Sequence, residues 1–187
     1  MTDPLADTPP APAVGDPAPA PTEAGPAPGF VYASLGSRAV AIIIDVVIVG
    51  FIYALVVAAL ATVGGWGAFV IGGLIYVALS IGYFVILWTR RRATAGQQLL
   101  GLETARAADG ATLTQDQALR RWAFLMGPGA LAQVFGYGGA LLGGLGLIIA
   151  GLALAYELYL LYTASQSPTR QGFHDIQAGT IVVKRTR

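Results

Sequence analysis

The sequence predicts an all-α membrane protein, in which a four-helix transmembrane bundle carries a small cytoplasmic β-hairpin or sheet and a disordered, proline-rich N-terminal tail. Of the 187 residues, 55% are hydrophobic and only 11% are charged, whereas soluble domains contain about 25% charged residues. Long apolar runs alternate with short clusters of arginine, which is typical of helices that cross a bilayer. Nine of the eleven prolines lie within residues 1–29, outside these runs.

The N-terminal tail, residues 1–29, consists mainly of Pro, Ala and Gly. Such a segment buries too little apolar surface to offset its chain entropy, so we expect disorder with polyproline II character. Residues 1–37 contain four acidic residues and no Lys or Arg, and all eleven basic residues lie at or after Arg38. We interpret the tail as a solvated tether, with docking to a protein partner as the alternative.

Two apolar runs, 38–63 and 66–88, are each long enough to cross a bilayer. Gly64 and Gly65 leave room only for a tight turn between them. Three consecutive arginines begin at Arg90, directly after the second run. By the positive-inside rule, the polar loop 89–120 is therefore predicted to be cytoplasmic.

The polar loop and the C-terminal tail are predicted to share a small sheet. Its strands are Leu102–Arg106, a return strand Ala111–Leu113, and the β-branched run 180–184. Asp109-Gly110 is typical of a hairpin turn between the first two strands. Thr114 followed by Gln117 has the spacing of a capping box, which predicts that a helix begins there.

Residues 122–163 are almost uncharged, and they are too long for one span but suited to two. Basic residues flank both ends, which favours an even number of crossings. We predict helices at about 121–138 and 143–163, with a kink or break at Gly127-Pro128-Gly129. The alternative is one span preceded by a re-entrant or interfacial segment, which would place the C-terminal tail, 164–187, outside instead of in the cytoplasm.

Arg38 and Asp45 are seven residues apart in the first apolar run, so they lie on one helix face about 10 Å apart along the axis. A carboxylate at this depth costs about 3 kcal/mol unless protein or water covers it. Asp45 either binds a cation or exchanges a proton, or is tied to Arg38 or another polar group that fixes helix packing. Arg38 is either an interfacial anchor or forms a salt bridge with Asp45 or Asp175. His174 and Asp175 could titrate near neutral pH; alternatively, Asp175 caps a turn or a helix start, or holds the C-terminal tail to Arg38.

The composition also narrows the function classes. The chain has no cysteine, which excludes disulfides, thiolate metal sites and cysteine nucleophiles. We find no nucleophile–base motif, metal spacing or phosphate loop, so we expect no enzyme activity and no cofactor or metal. Nucleic-acid binding is not predicted. The expected partner is the lipid bilayer, with a homo-oligomer and a protein bound through residues 1–29 as further candidates.

Three segments, in this order, resemble the motifs of one family: Arg38-Ala-Val-Ala-Ile-Ile-Ile-Asp45, Thr94-Ala-Gly-Gln-Gln-Leu-Leu-Gly-Leu102 and His174-Asp-Ile-Gln-Ala-Gly-Thr-Ile-Val-Val183. Together they are similar to the RDD family of membrane proteins, and the resemblance covers residues 30–184. It implies that Arg38, Asp45 and Asp175 are the Arg-Asp-Asp set that names the family. Supporting candidates are Gly96, Gly101, His174 and Glu157. We interpret Glu157 as a residue exposed at the membrane interface, with membership of a relay as the alternative.

The loop motif departs from the family pattern at two places, because Ala95 stands where proline is usual and Gln97-Gln98 stand where a Lys or Arg is usual. The flanking basic residues predict that both termini are cytoplasmic. The resemblance implies a multi-pass protein of a bacterial plasma membrane that is involved in the transport of a cation, a proton or a small solute. The tail is similar to that of actinobacterial proline-rich antigens. The alternative function is a non-catalytic membrane scaffold or accessory protein that uses its tail and cytoplasmic loop.

Overall fold

A computed structural model describes residues 25–60, 62, 65–139 and 145–186. The elements of this part of the chain are, in order, β1 (Phe30–Tyr32), α1 (Leu35–Leu60), α2 (Gly65–Arg91), α3 (Ala95–Leu99), β2 (Leu102–Arg106), α4 (Gln115–Leu125), α5 (Gly127–Gly139), α6 (Leu145–Gln166), α7 (Phe173–Ala178) and β3 (Thr180–Arg185). Residues 1–24 of the predicted tail lie outside the described residues. So do Gly64 and residues 140–144 of the predicted turns.

Three of the described helices are long and apolar enough to cross a membrane, namely α1, the part of α2 from Ile71 to Arg91, and α6. They correspond to the predicted first, second and fourth spans. The start of α1 follows from Ser34, whose hydroxyl oxygen accepts a hydrogen bond from the Ser37 N–H (3.1 Å) and so satisfies one of the free donors of the first turn. The membrane character of the chain is therefore confirmed.

The predicted third span, 121–138, is two shorter helices, because α4 has 11 residues and α5 has 13. The break lies next to Pro128, which has no N–H to donate and whose ring disfavours continuing the preceding helix. The kink predicted there is confirmed. α4 begins with the predicted capping box, in which Thr114 and Gln117 exchange hydrogen bonds of 3.2 Å. Alone, α5 is about 20 Å long, less than the hydrocarbon core.

The sheet has three antiparallel strands in the order β1-β3-β2. β2 and β3 confirm two predicted strands and their pairing. The predicted return strand at Ala111–Leu113 is wrong: this segment is not in a strand, although Ala111 accepts a hydrogen bond from the Arg106 N–H (2.9 Å). β3 is the stronger partner for β2, because its first four residues are all buried and all β-branched. The third strand is instead β1, before the first span.

The sheet gathers three distant parts of the chain at one end of the helices. β1 immediately precedes α1, β2 follows α2 and α3, and β3 follows α6 and α7. Beside the sheet, α2, α4 and α6 share an apolar core that includes Phe84, Trp88, Trp122, Leu125 and Leu160. This sheet end is where the polar residues that the sequence singled out come together.

Candidate functional site

Asp45 of α1 is only 1% exposed, and its carboxylate accepts three hydrogen bonds. The Tyr83 hydroxyl donates to Oδ1 at 2.7 Å, the Gly96 N–H to Oδ1 at 2.8 Å, and the Thr94 hydroxyl to Oδ2 at 2.5 Å. Within the described residues Asp45 makes no salt bridge, so the predicted pairing with Arg38 is not formed. Its contacts instead join α1 to α2 and to the start of α3.

The contact depends on how closely α3 approaches α1. Thr94 caps α3 and forms a capping box with Gln97, so that the N–H of Gly96 in the first turn is free to donate to Asp45. Gly96 lies against the backbone of Ala41: an added Cβ would be 2.1 Å from the Ala41 carbonyl oxygen. Only glycine fits this position. The other glycine of the motif, Gly101, has a φ of +66° and lies in the turn after α3.

Gln97 connects this contact to the rest of the sheet end. Its side-chain oxygen accepts hydrogen bonds from Thr94 N–H (3.0 Å), Trp88 Nε1 (3.2 Å) and Thr104 Oγ1 (3.1 Å). A lysine or arginine, which the family resemblance leads one to expect here, has no acceptor and could not form these bonds. The Trp88 ring, in turn, lies 5.0 Å below the guanidinium of Arg121.

Asp175 forms a second buried centre in which two arginines meet one carboxylate. Arg38 and Arg121 both donate to it, and Thr180 Oγ1 lies 3.2 Å from its Oδ1. Asp175 is 0% exposed and Arg121 is 2% exposed. Of the two partners predicted for Arg38, the structure therefore shows Asp175. This ion pair joins the start of α1 to the segment that leads into β3.

We do not identify Arg121 from the sequence as a partner of Asp175, because this residue is considered there only as one of the basic residues that flank the third span. A signal was present in its neighbours. Ala118, Trp122 and Leu125 lie three residues before, one after and four after Arg121, and all three are buried. An arginine on such an apolar helix face must find a buried acid.

Charges around Asp175 determine its ionisation. Burial alone would raise the pKa of Asp175, but the neighbouring charges of Arg121 and Arg38 together hold it well below its usual range. Burial lowers the pKa of His174 to about 3; Asp175 opposes this shift, and the two arginines add to it. This lowered pKa favours the neutral form of His174 at neutral pH, and the structure shows the alternative arrangement, in which Asp175 holds the C-terminal segment to Arg38.

A cavity of about 60 Å³ lies between facing sides of α1 and α6, and its lining joins the two centres. Its polar lining includes Arg38, Asp45, Arg121, Glu157 and His174. Both ring nitrogens of His174 and the Nε of Arg121 are buried, and none makes a hydrogen bond within the part of the chain that the structure describes. The volume is sufficient for a few water molecules.

Glu157 differs from Asp45, the other carboxylate that lines this cavity. It is half-buried on α6, on the same helix face as Leu160, Leu161 and Ala164. Among the described residues it forms no hydrogen bond or ion pair. No group of three or more His, Asp or Glu side chains in the described ranges is arranged to hold a metal ion. The free carboxyl of the cavity is thus Glu157, not Asp45.

The burial of His174 predicts a pH dependence of stability. Because its pKa is lowered on folding, the unfolded chain takes up a proton below about pH 6.5 that the folded chain takes up only near pH 3. As the pH is lowered through that window, the free energy of unfolding should therefore fall by up to about 1.4 kcal/mol for each pH unit. Denaturation of the detergent-solubilised protein at several pH values should show a shallower slope for His174→Gln. Parallel slopes would contradict a buried neutral histidine.

A model of the RDD family matches residues 32–179. The matched segment contains Asp45, Asp175, both arginines that contact Asp175, and the whole polar lining of the cavity. No curated protein and no solved structure matches the chain.

Proposed function

Because the chain belongs to the RDD family, we propose that it moves protons across the plasma membrane through the cavity between α1 and α6, with Glu157 as the exchanging group. The observation that carries this proposal is a carboxyl in an apolar span that lines a polar cavity without any cation partner among the described residues. An ionisable group inside a membrane is costly, and it is by default a candidate for function.

Chain direction supports an even number of crossings. β1 before α1, β2 after α2 and β3 after α6 lie in one sheet, so these three segments are on the same side of the membrane. With α1, α2 and α6 as spans, α4 and α5 together would supply the return crossing. The basic residues of the described chain belong to the segments at this end, which favours a cytoplasmic sheet.

The partners of the neighbouring carboxylates favour Glu157 as the exchanging group. Asp175 pairs with Arg38 and Arg121, and Asp45 accepts three hydrogen bonds. Glu157 lines the cavity without such a partner among the described residues, and we therefore assign the exchanging proton to it. Nε2 of His174 lies 3.3 Å from Asp175 Oδ2, whereas its Nδ1 is buried without a hydrogen-bond partner among the described residues and could hold water between Glu157 and the sheet end.

Asp45 is less suited to transport than the sequence suggested. Tyr83, Thr94 and Gly96 donate to its two oxygens, and a bound cation would have to displace those donors to obtain oxygen ligands. The same bonds hold α1 against α2 and α3. We therefore propose that Asp45 positions these helices, and that protons exchange at Glu157.

The proposal is tested with the full chain reconstituted into vesicles that contain a pH-sensitive dye. Under an imposed potential, wild type should carry protons faster than protein-free vesicles. Glu157→Gln keeps the size of the side chain but cannot exchange a proton, so the rate should fall about tenfold or more. Glu103→Gln is the matched control, because Glu103 lies in β2 and pairs with Arg92 and Arg185, away from the cavity. Wild-type flux equal to that of empty vesicles would sink the proposal.

A non-catalytic membrane scaffold is the second candidate. It is favoured by the partners of Asp45 and Asp175. Both carboxylates are held by hydrogen bonds or ion pairs that join helices to the sheet end. A scaffold would carry no protons in any variant. Its disruption would instead change which proteins co-purify with the chain from the membrane. Neither candidate requires the protein to be an enzyme.

A further inference from the structure

We infer that a basic pocket at the end of α2 binds the headgroup of an anionic phospholipid. Four basic residues line this pocket: Arg91, Arg92, Lys184 and Arg185. The inference is independent of proton transport, because none of these residues lines the cavity between α1 and α6.

The pocket forms where two distant segments meet. Arg91 ends α2 and Arg92 follows it, whereas Lys184 and Arg185 end β3. Antiparallel pairing places Lys184 opposite Leu102, at the start of β2 and beside the turn after α3. This pairing concentrates four positive charges around one opening. Glu103 is the only acid in the lining, so the net charge of the lining is three positive.

The four cations have two different roles. Glu103 Oε2 lies 3.4 Å from Arg92 Nε and its Oε1 lies 2.7 Å from Arg185 Nε, so this carboxylate holds both guanidinium groups at the rim. Arg91 and Lys184 are exposed, and among the described residues neither takes part in a salt bridge. Two oriented arginines and two free cations suit a phosphate group that carries several acceptor oxygens.

The position of the pocket favours a lipid over a soluble anion. Arg91 is the last residue of an apolar span, so the pocket lies at the depth of lipid headgroups. Leu99 of the adjacent α3 is 72% exposed, and Leu100 lines the pocket itself. An exposed leucine beside a cluster of cations matches an acyl chain attached to an anionic headgroup.

Titration of the full chain in detergent with phosphatidylglycerol or phosphatidylcholine of identical acyl chains, followed by native mass spectrometry, tests the inference. Wild type should retain phosphatidylglycerol more tightly. The variant Arg91→Gln with Lys184→Gln should bind it about 30-fold more weakly, since two cations near the headgroup are lost. The control variant, Arg106→Gln with Arg120→Gln, loses the same charge from surface pairs outside the pocket. It should bind as wild type does.

Equal retention of the two lipids by wild type would overturn the inference, as would equal losses in the two double variants. Inorganic phosphate and a peptide of residues 1–24 are then added separately as competitors. Displacement of phosphatidylglycerol by millimolar phosphate would assign the pocket to a soluble anion. Displacement by the peptide, which contains four acidic residues and no basic ones, would assign it to the N-terminal tail. Retention against both competitors supports the lipid.

Discussion

Replacing Gly96 with alanine is expected to destabilise the folded protein by about 3 kcal/mol, the upper end of the usual cost of overpacking. The new methyl group would lie 2.1 Å from the carbonyl oxygen and 2.9 Å from the carbonyl carbon of Ala41. Both are backbone atoms of α1, so no side chain can turn aside to make room. α3 would have to move away, which would also remove the Gly96 hydrogen bond to Asp45.

Thermal unfolding of the purified protein in detergent measures this effect. For a chain of this size, we expect the melting temperature of Gly96→Ala to fall by about 10 °C. Gly82→Ala is the matched control, because Gly82 lies within α2 and an added Cβ there has no atom within 4 Å. That variant should be neutral or slightly more stable. A melting temperature of Gly96→Ala equal to that of Gly82→Ala would contradict the close contact between α1 and α3.

Replacing Asp175 with asparagine should cost about 3–5 kcal/mol, the range found when one partner of a buried ion pair is removed. Asp175 is completely buried, and without its charge Arg38 and Arg121 would remain as two buried like charges. The pKa of Asp175 is held below its usual range, so this stabilisation is fully present above about pH 4 and is lost only as more acidic solution protonates it.

Chemical denaturation at neutral pH separates this buried pair from a surface pair. Asp116→Asn is the control, since Asp116 pairs with Arg120 on the exposed side of α4 and its side chain is 67% exposed. It should change the free energy of unfolding by at most about 0.5 kcal/mol. The double variant Asp175→Asn with Arg38→Gln should be less destabilised than the sum of the two single variants. Equal effects of the Asp175 and Asp116 substitutions would contradict the buried centre.

The three membrane spans were predictable because length and hydropathy alone define them, and the start of α4 because a capping box is local. The return strand at Ala111–Leu113 failed for a non-local reason. A hairpin signal considers only neighbours in sequence, whereas β3, about seventy residues further along the chain, occupies the pairing edge of β2. The residues of a turn do not show which of two distant segments will pair with a strand.

The candidate site likewise combines local features, which the sequence predicts, with contacts between distant segments, which it does not. The helix spacing of Arg38 and Asp45 placed them on one face, but their partners come from elsewhere in the chain. Asp175 reaches Arg38 only because β3 pairs with β1 and β2. Asp45 is bonded by residues of α2 and the start of α3. Glu157, which has no partner among the described residues, could be identified as a free carboxyl of the cavity only after its neighbours were known.

The measurement that most directly tests the assignment of proton exchange to Glu157 is the proton flux of vesicles that contain equal amounts of folded wild type, Glu157→Gln and Glu157→Asp. We expect the glutamine variant to lose about tenfold or more of the flux. The aspartate variant, which retains a carboxyl, should recover part of it. Flux through Glu157→Gln equal to that of wild type would contradict the assignment.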